Sequence, residues 1–584
     1  MKLLRLFALL AAAAAPLFAT DAAFDKWADD LTAETMRANP NWATVTQYFT
    51  GAEQDTLDRQ LTPITKAYRL ERVAKARTAL AELAKFDRTK LDAEQRISAG
   101  IIGWSLQLNA DAETYNDYNF VFGQFGGLHV SLVNFLSQTH PIRNHRDIEN
   151  YLARLGLVAA QMDEGIAQAK DAASRGFLMP DFITKASLGQ FAVFLGDAPA
   201  KNVLVASLEE RAAKLKDVTP EERAKLVGAA EQIVASQIIP AFRRAQALLQ
   251  EQLPHTTSEA GLWRLPGGDK AYAYALRKYT TTTLTPDEIH ALGRKEVARI
   301  EAKMDSLLKQ LGYANGTIKE RMLQLGLSLQ PPASPDPRAA LLKRFDDILA
   351  DALKRSESVF DVRPKAPCIV KREPPFTEKT AAAHYTGPAK DGSRPGVFWA
   401  PLPGPTFDIA AMRTLVYHEA IPGHHFQIAL QRETASLPRY RRDGIFGGGS
   451  AYAEGWALYA EQLATECHWY DGDVVGQLGQ LDAELFRARR LVVDTGLHAK
   501  HWTRQQAIDY GIIGQEVDRY VTYAGQACSY KVGQLKILAL RAKAKAALGD
   551  KFDLKKFHNV VLQSGNMPLA VLEQVVDSYI SESR

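Results

Sequence analysis

The stretch TPDEIHALGRKEVARIEAKMDSLLKQLG, residues 285–312, reads as one long helix with marked ends. Thr285 is a good N-cap, Pro286 suits the first helical position, and Gly312 follows the last apolar residue. Between them apolar residues return at steps of three and four. The same spacing runs through TKAYRLERVAKARTALAELAKF (65–86), DIENYLARLGLVAAQMDEGIAQAKDAASR (147–175) and PEERAKLVGAAEQIVASQIIPAFRRAQALLQEQL (220–253). No fixed-period repeat links them. The pattern predicts a mainly α protein in which these helices are scaffold.

After about residue 360 the texture changes. CIVKREPPF (368–376) and AAAHYTGPAKDGSRPGVFWAPLPGP (381–405) are rich in Pro, Gly, aromatic and β-branched residues. They predict a small β-sheet or hairpin inserted near 365–400. From Phe407 onward the chain reads as helical again, broken by DGIFGGGSAYAEG (443–455). This divides the chain into an N-terminal helical region, 20–360, and a C-terminal region, 361–584, that carries the chemistry. With no disordered linker between them, the two are expected to share one body with a cleft.

Composition narrows the class. The chain has 584 residues, 46% hydrophobic and 24% charged, with a net charge of +4. No basic tract marks a nucleic-acid surface. The opening MKLLRLFALLAAAAAPLFATDAAF has Lys2 and Arg5 before a short apolar run and small residues after it. It reads as a secretory signal peptide over 1–19, cleaved near Ala19 to Ala23, which implies a periplasmic or secreted protein. The run is short for an uncleaved anchor, and no later stretch is apolar enough to span, so no stable membrane insertion is expected after cleavage. Three scattered cysteines, Cys368, Cys467 and Cys528, allow one pair at most and make a thiolate metal site improbable.

The chemistry centres on YHEAIPGHHFQ, 417–427. His418 and Glu419 begin the H-E-x-x-H pattern, in which two histidines four apart hold zinc on one helix face and the Glu is general base. Pro422 stands where the second histidine belongs. Proline there removes a donor and clashes with the His418 carbonyl, so the helix must bend or widen, and Gly423 eases that. On an ideal helix His424 would lie about 240° from His418, and His425 about 340°. Regular geometry thus favours His425, while a wide turn would bring in His424; the residues alone leave both open. SAYAEGWALYAEQLA (450–464) offers the third ligand, Glu454, a carboxylate among apolar and aromatic neighbours that calls for a cation. Glu461, on the same face, is either its supporting partner or a surface charge. The competing reading is a core helix with a satisfied histidine.

HEAIPGHHFQ, AYAEGWALYAE, RARRLVVDTGLH, GQACSYKVG and FHNVVLQSGNMPL resemble the successive motifs of the bacterial domain-of-unknown-function 885 family. Its members are regarded as zinc metallopeptidases similar in plan to the helical thermostable carboxypeptidases and peptidyl-dipeptidases. The resemblance implies a large helical metallopeptidase-like body with a deep cleft. It also implies one Zn²⁺ per chain on His418, His424 and Glu454, with Glu419 as base toward the bound water. It favours His424 over His425, because the histidine after Pro-Gly is the recurrent one. Tyr530, in GQACSYKVG, becomes the candidate oxyanion donor, with His558, His384 and Tyr385 as weaker ones. Arg490, Asp494 and His498 fall at four-residue steps, an ion-pair ladder or a clamp that orients a ligand or meets a substrate carboxylate. DGSRPGVFWAP (391–401) could present a strand edge to a peptide, with Arg394 toward a terminal carboxylate. GIFGGGS (444–450) would serve as a hinge or a plain loop.

The expected function is an exported zinc-dependent metallopeptidase hydrolysing short peptides. The rivals are a zinc amidase or esterase acting on a non-peptide or cell-wall substrate, and a non-catalytic zinc-containing peptide-binding protein. Mn²⁺ or Co²⁺ would also suit two His and one Glu.

Overall fold

Thr285 caps the Pro286–Gln310 helix: its side chain accepts from the Glu288 N–H, and the Glu288 carboxylate returns to the Thr285 backbone. Gly312 then ends the helix with φ +90. Both ends fall where the sequence places them. This computed structural model describes residues 21–584 except 333–335, 375–377, 379–380, 391 and 393. The leader expected at 1–19 lies outside the described residues.

The helix buries Ile289, Val297, Ile300, Met304 and Leu308 and packs lengthwise on the longer helix Val474–Ala499. Around this pair the chain is mostly helical. One apolar cluster draws on both sides of residue 360, from Ile102, Tyr151 and Phe242 to Val416, Trp456 and Leu572.

The three-stranded sheet forms where the Pro- and Gly-rich segment predicts it. Strands β1 (Cys368–Arg372), β2 (His384–Thr386) and β3 (Gly396–Ala400) lie in the order β1-β3-β2, with β1 parallel and β2 antiparallel to β3. This corrects one expectation. The strand in 391–401 is the central one, so both its edges are already bonded and it offers none to a peptide. Arg394 is exposed and donates to the Gly387 and Pro395 carbonyls, as a turn arginine does.

Two further helices set the site. Ser450–Glu466 and Ser529–Leu548 touch backbone to backbone at Gly455 and Gly533. A Cβ on Gly455 would come within 2.5 Å of the Gly533 carbonyl carbon, and one on Gly533 within 1.9 Å of the Ala451 oxygen. Only glycine at both positions permits this approach, which brings Glu454 beside Tyr530. A buried charge network fastens the same region: Lys531 Nζ, fully buried, lies 2.6 Å from Glu484 and 3.1 Å from Glu296.

Cys368, Cys467 and Cys528 are all free thiols. Among the described residues no helix is long and apolar enough to cross a membrane.

Candidate metal centre

The histidine motif is two helices. Met412–Glu419 ends at Glu419, a turn covers residues 420–423, and His424–Glu433 begins immediately after. The Ile421–Pro422 bond is cis, and the Pro422 carbonyl accepts from Trp456 Nε1 at 2.9 Å. Gly423 lies over the end of the first helix: a Cβ there would fall 1.9 Å from the His418 carbonyl oxygen. The bend expected at Pro422 is thus a complete break, and the helical phase between His418 and the following pair is lost.

That break sends the two histidines to opposite sides. His424 Nε2 lies 3.5 Å from Glu454 Oε2, and His418 Nε2 lies 3.5 Å from the same oxygen. The donor atoms of His418, His424 and Glu454 all lie within 4.8 Å of one another. His425 turns away. Its Nδ1 accepts from the Tyr385 hydroxyl at 2.8 Å, and its Nε2 donates to the Ala366 carbonyl at 3.1 Å. The ring is buried and saturated, its pKa pushed down to about 4 by that burial. The regular-helix preference for His425 is therefore corrected.

Glu461 supports the cluster. Its Oε1 lies 2.7 Å from His418 Nδ1, and its Oε2 accepts from the Thr414 hydroxyl at 2.6 Å. Only 2% of Glu461 is exposed, so it is no surface charge. A carboxylate behind an imidazole fixes the tautomer that presents Nε2 forward and raises its basicity. Glu461→Gln is expected to weaken zinc binding about 10–100-fold, measured by competition with a chromogenic chelator. A change under about twofold would leave Glu461 without this role.

The electrostatics also call for a cation. Buried Glu419 and Glu461 and half-buried Glu454 crowd two imidazoles. Burial opposes charge on His418, yet the adjacent Glu454 carboxylate and the hydrogen bond with Glu461 raise its pKa to about 9. Burial likewise opposes the Glu454 charge, but the two histidines hold this carboxyl well below its usual range. Glu454 Oε2, although buried, has no hydrogen bond among the described residues. Two imidazoles and a carboxylate converging with a free oxygen suit a divalent ion. Three protein donors leave a position open, as catalytic sites do.

Glu419 faces this cluster with no side-chain hydrogen bond among the described residues. Burial lifts its carboxyl above the ordinary range, while the histidines and Arg487 restrain the rise and Glu454 adds to it. Tyr530, in the first turn of its helix, is half-buried. Burial and then the Glu454 charge raise its pKa, so it stays a protonated donor. The Arg490 guanidinium lies over its ring, 4.5 Å from the centroid.

The remaining candidates lie elsewhere. His558 is buried between the Tyr459 hydroxyl and the Val359 carbonyl. His384 bonds the Ala382 carbonyl, and Tyr385 holds His425. The 490–494–498 ladder does not form. Arg490 binds Tyr520 and Glu516, Asp494 accepts from Tyr272 and the Gly525 N–H, and His498 bridges Leu262 N and Tyr520 O. Being buried, each group needs partners from every side, and neighbouring elements supply them. In the 444–450 loop, Gly448 packs against the Met567–Pro568 backbone.

Sequence reading missed Thr414, Phe486 and Arg487. They line a cavity of about 310 Å³ that reaches His418 and Glu461. Their helical spacing marked a face without naming what it meets. A larger cavity, about 580 Å³, lies apart from all these residues, between Arg69, Glu113, Phe120 and Arg175.

Residues 40–576 match the family described as bacterial protein of unknown function, DUF885. Among solved structures, the “putative lipoprotein” of Colwellia psychrerythraea is 31% identical with a TM-score of 0.87, covering 96% of this chain and 99% of that one. A “putative lipoprotein of unknown function” from Shewanella oneidensis, 19% identical, shares the fold with a TM-score of 0.70 over 94% of this chain and 99% of its own. A comparison with curated proteins finds no match. By the extent of this family match, the chain belongs to the DUF885 family.

Proposed function

We propose that this chain is an exported zinc-dependent metallopeptidase that hydrolyses short peptides. One observation carries the reading: a partly buried three-donor cluster of His418, His424 and Glu454 with an unbonded carboxylate, Glu419, beside it. A purely structural site would be closed by a fourth protein ligand and would have no use for a free base. Zinc held by the three donors would polarise a substrate carbonyl and acidify a water. Glu419 takes the proton of the attacking water and delivers it to the leaving amine. Tyr530 donates its hydroxyl hydrogen to the oxygen on which negative charge develops. Glu461 and Thr414 keep His418 in register throughout. The leader at 1–19 and the description of the relatives as lipoproteins support an exported location.

The test is a substrate panel for the zinc-loaded mature protein, with short peptides beside amide- and ester-containing wall fragments. Peptide cleavage that a chelator abolishes and added zinc restores is the expected result. Cleavage of wall fragments alone would make the protein an amidase or esterase. Zinc bound with no substrate cleaved would make it a peptide-binding protein.

A further inference from the structure

Arg490 lies inside the protein with only 6% exposed, on the Val474–Ala499 helix one turn after Phe486. A guanidinium is planar, so its edge makes hydrogen bonds and its faces meet rings. The edge is turned to the neighbouring helix Gly514–Thr522: Nε donates to the Tyr520 hydroxyl and Nη2 to Glu516 Oε2, both at 2.9 Å. Its Cζ lies 4.5 Å from the ring centroid of Phe486 and 4.5 Å from that of Tyr530. Nη1 is buried with no hydrogen bond among the described residues.

A buried ion pair gives little net stability, and a buried donor without a partner costs more. As a tie between two helices Arg490 is therefore no better than apolar side chains of its size. What the guanidinium gains is the face of Tyr530, whose quadrupole attracts a cation most strongly out of water. The guanidinium is itself braced. Glu516 also binds Arg519 at 2.9 Å, and Arg519 Nη1 donates to Gln526 Oε1 at 2.9 Å. Gln526 Nε2 donates to Ser450 Oγ at 3.1 Å, and the Ser450 and Ser529 hydroxyls share a hydrogen bond of 2.6 Å. Ser450 opens the helix that carries Glu454, and Ser529 opens the helix that carries Tyr530. Arg490 thus meets the Tyr530 ring directly and is bonded through a chain of side chains to the start of both site helices.

We infer that Arg490 is the positioning residue of Tyr530, holding its ring in the one orientation from which the hydroxyl donates to the developing oxyanion. The inference rests on the peptidase reading, in which Tyr530 is that donor, and names what aims it. Arg490 is absent from the lining of the cavity that reaches His418, whereas Phe486 belongs to it. Its action on the reaction therefore passes through the Tyr530 ring and not through contact with substrate. A catalytic group misplaced by about 1 Å can lose about 10² in rate, so the orientation of this one ring matters to the chemical step.

The test pairs rates with a readout that needs no turnover. In the zinc-loaded mature protein, Arg490→Met is expected to lower kcat for a short peptide about 10–100-fold with KM within about twofold. Arg490→Lys keeps the charge and a partner for Glu516 but loses the planar face, and is expected to recover part of the loss. In a Tyr530→Phe background, Arg490→Met should cost less than about twofold, because the group it aims is gone. Equal losses in both backgrounds, or a loss confined to KM, would overturn the inference. The second readout is fluorine NMR of the full mature chain with fluorotyrosine at position 530 alone. One dominant narrow resonance is expected with Arg490 present. In Arg490→Lys, whose kept charge spares the fold, it should broaden or split as the ring samples further orientations. A single line of unchanged width, even if shifted, would overturn the inference whatever the protein cleaves. Broadening in a protein that cleaves no peptide would leave Arg490 holding Tyr530 and remove the peptidase reading alone.

Discussion

Glu419→Gln is expected to lower peptide hydrolysis by about 10²–10⁴-fold while zinc content stays at the unsubstituted level. The size follows from the role. A positioned base that takes a proton in the rate-limiting step contributes roughly 3–5 kcal/mol of transition-state stabilisation. Glutamine keeps the shape and loses the basicity. Glu419 is not among the three converging donors, and no described residue relies on it for a hydrogen bond. Binding and folding should therefore be spared, and the loss should fall on kcat rather than KM. Paired measurement of zinc stoichiometry and single-turnover rates checks this. Activity within a few-fold of the original would remove Glu419 from the chemistry.

Lys531→Met is expected to destabilise the fold by about 3–5 kcal/mol, the usual cost of breaking a buried charge network on one side. Lys531 is fully buried and donates to Glu484 at 2.6 Å and Gln534 at 2.8 Å, with Glu296 at 3.1 Å. Its loss leaves two carboxylates sharing Arg299 alone. The helices joined are Pro286–Gln310, Val474–Ala499 and Ser529–Leu548, so the damage reaches the frame of the site. Burial disfavours the Glu484 charge, but Lys531 and Arg299 outweigh it and hold this carboxyl below its ordinary range; Glu296 is held down likewise. A depressed folded-state pKa gives stability that is present above the unfolded value, about 4.3, and is lost as pH falls through the folded value. Part of that acid-side slope should vanish in Lys531→Met. Urea unfolding between about pH 3 and 6 reads both effects. Unchanged stability would show the network contributes nothing net.

Much of this was legible in the sequence because local rules decided it. Thr285, Pro286 and Gly312 bound their helix, and the Pro- and Gly-rich segment near 365–400 became the sheet. Glu454 and Glu461 stood out as carboxylates on apolar faces, and both converge on His418. The choice between His424 and His425 was harder. Counting 100° per residue assumes an unbroken helix, and residues 420–423 interrupt it. The four-residue steps of Arg490, Asp494 and His498 correctly put them on one face. Spacing carries no information on Tyr272, Glu516 or Leu262, which come from other parts of the chain and capture each of them. Arg487 was invisible for the same reason: the cavity it lines is walled by Met322, Thr414 and His418 from other helices.

His424, and not His425, is the proposed metal ligand. The measurement is zinc content of the purified mature protein beside His424→Ala and His425→Ala. About one zinc per chain, lost with His424→Ala and kept with His425→Ala, is the expected result, since His425 is occupied by Tyr385 and Ala366. Zinc kept in His424→Ala and lost in His425→Ala, or no zinc in the unsubstituted protein, would contradict it.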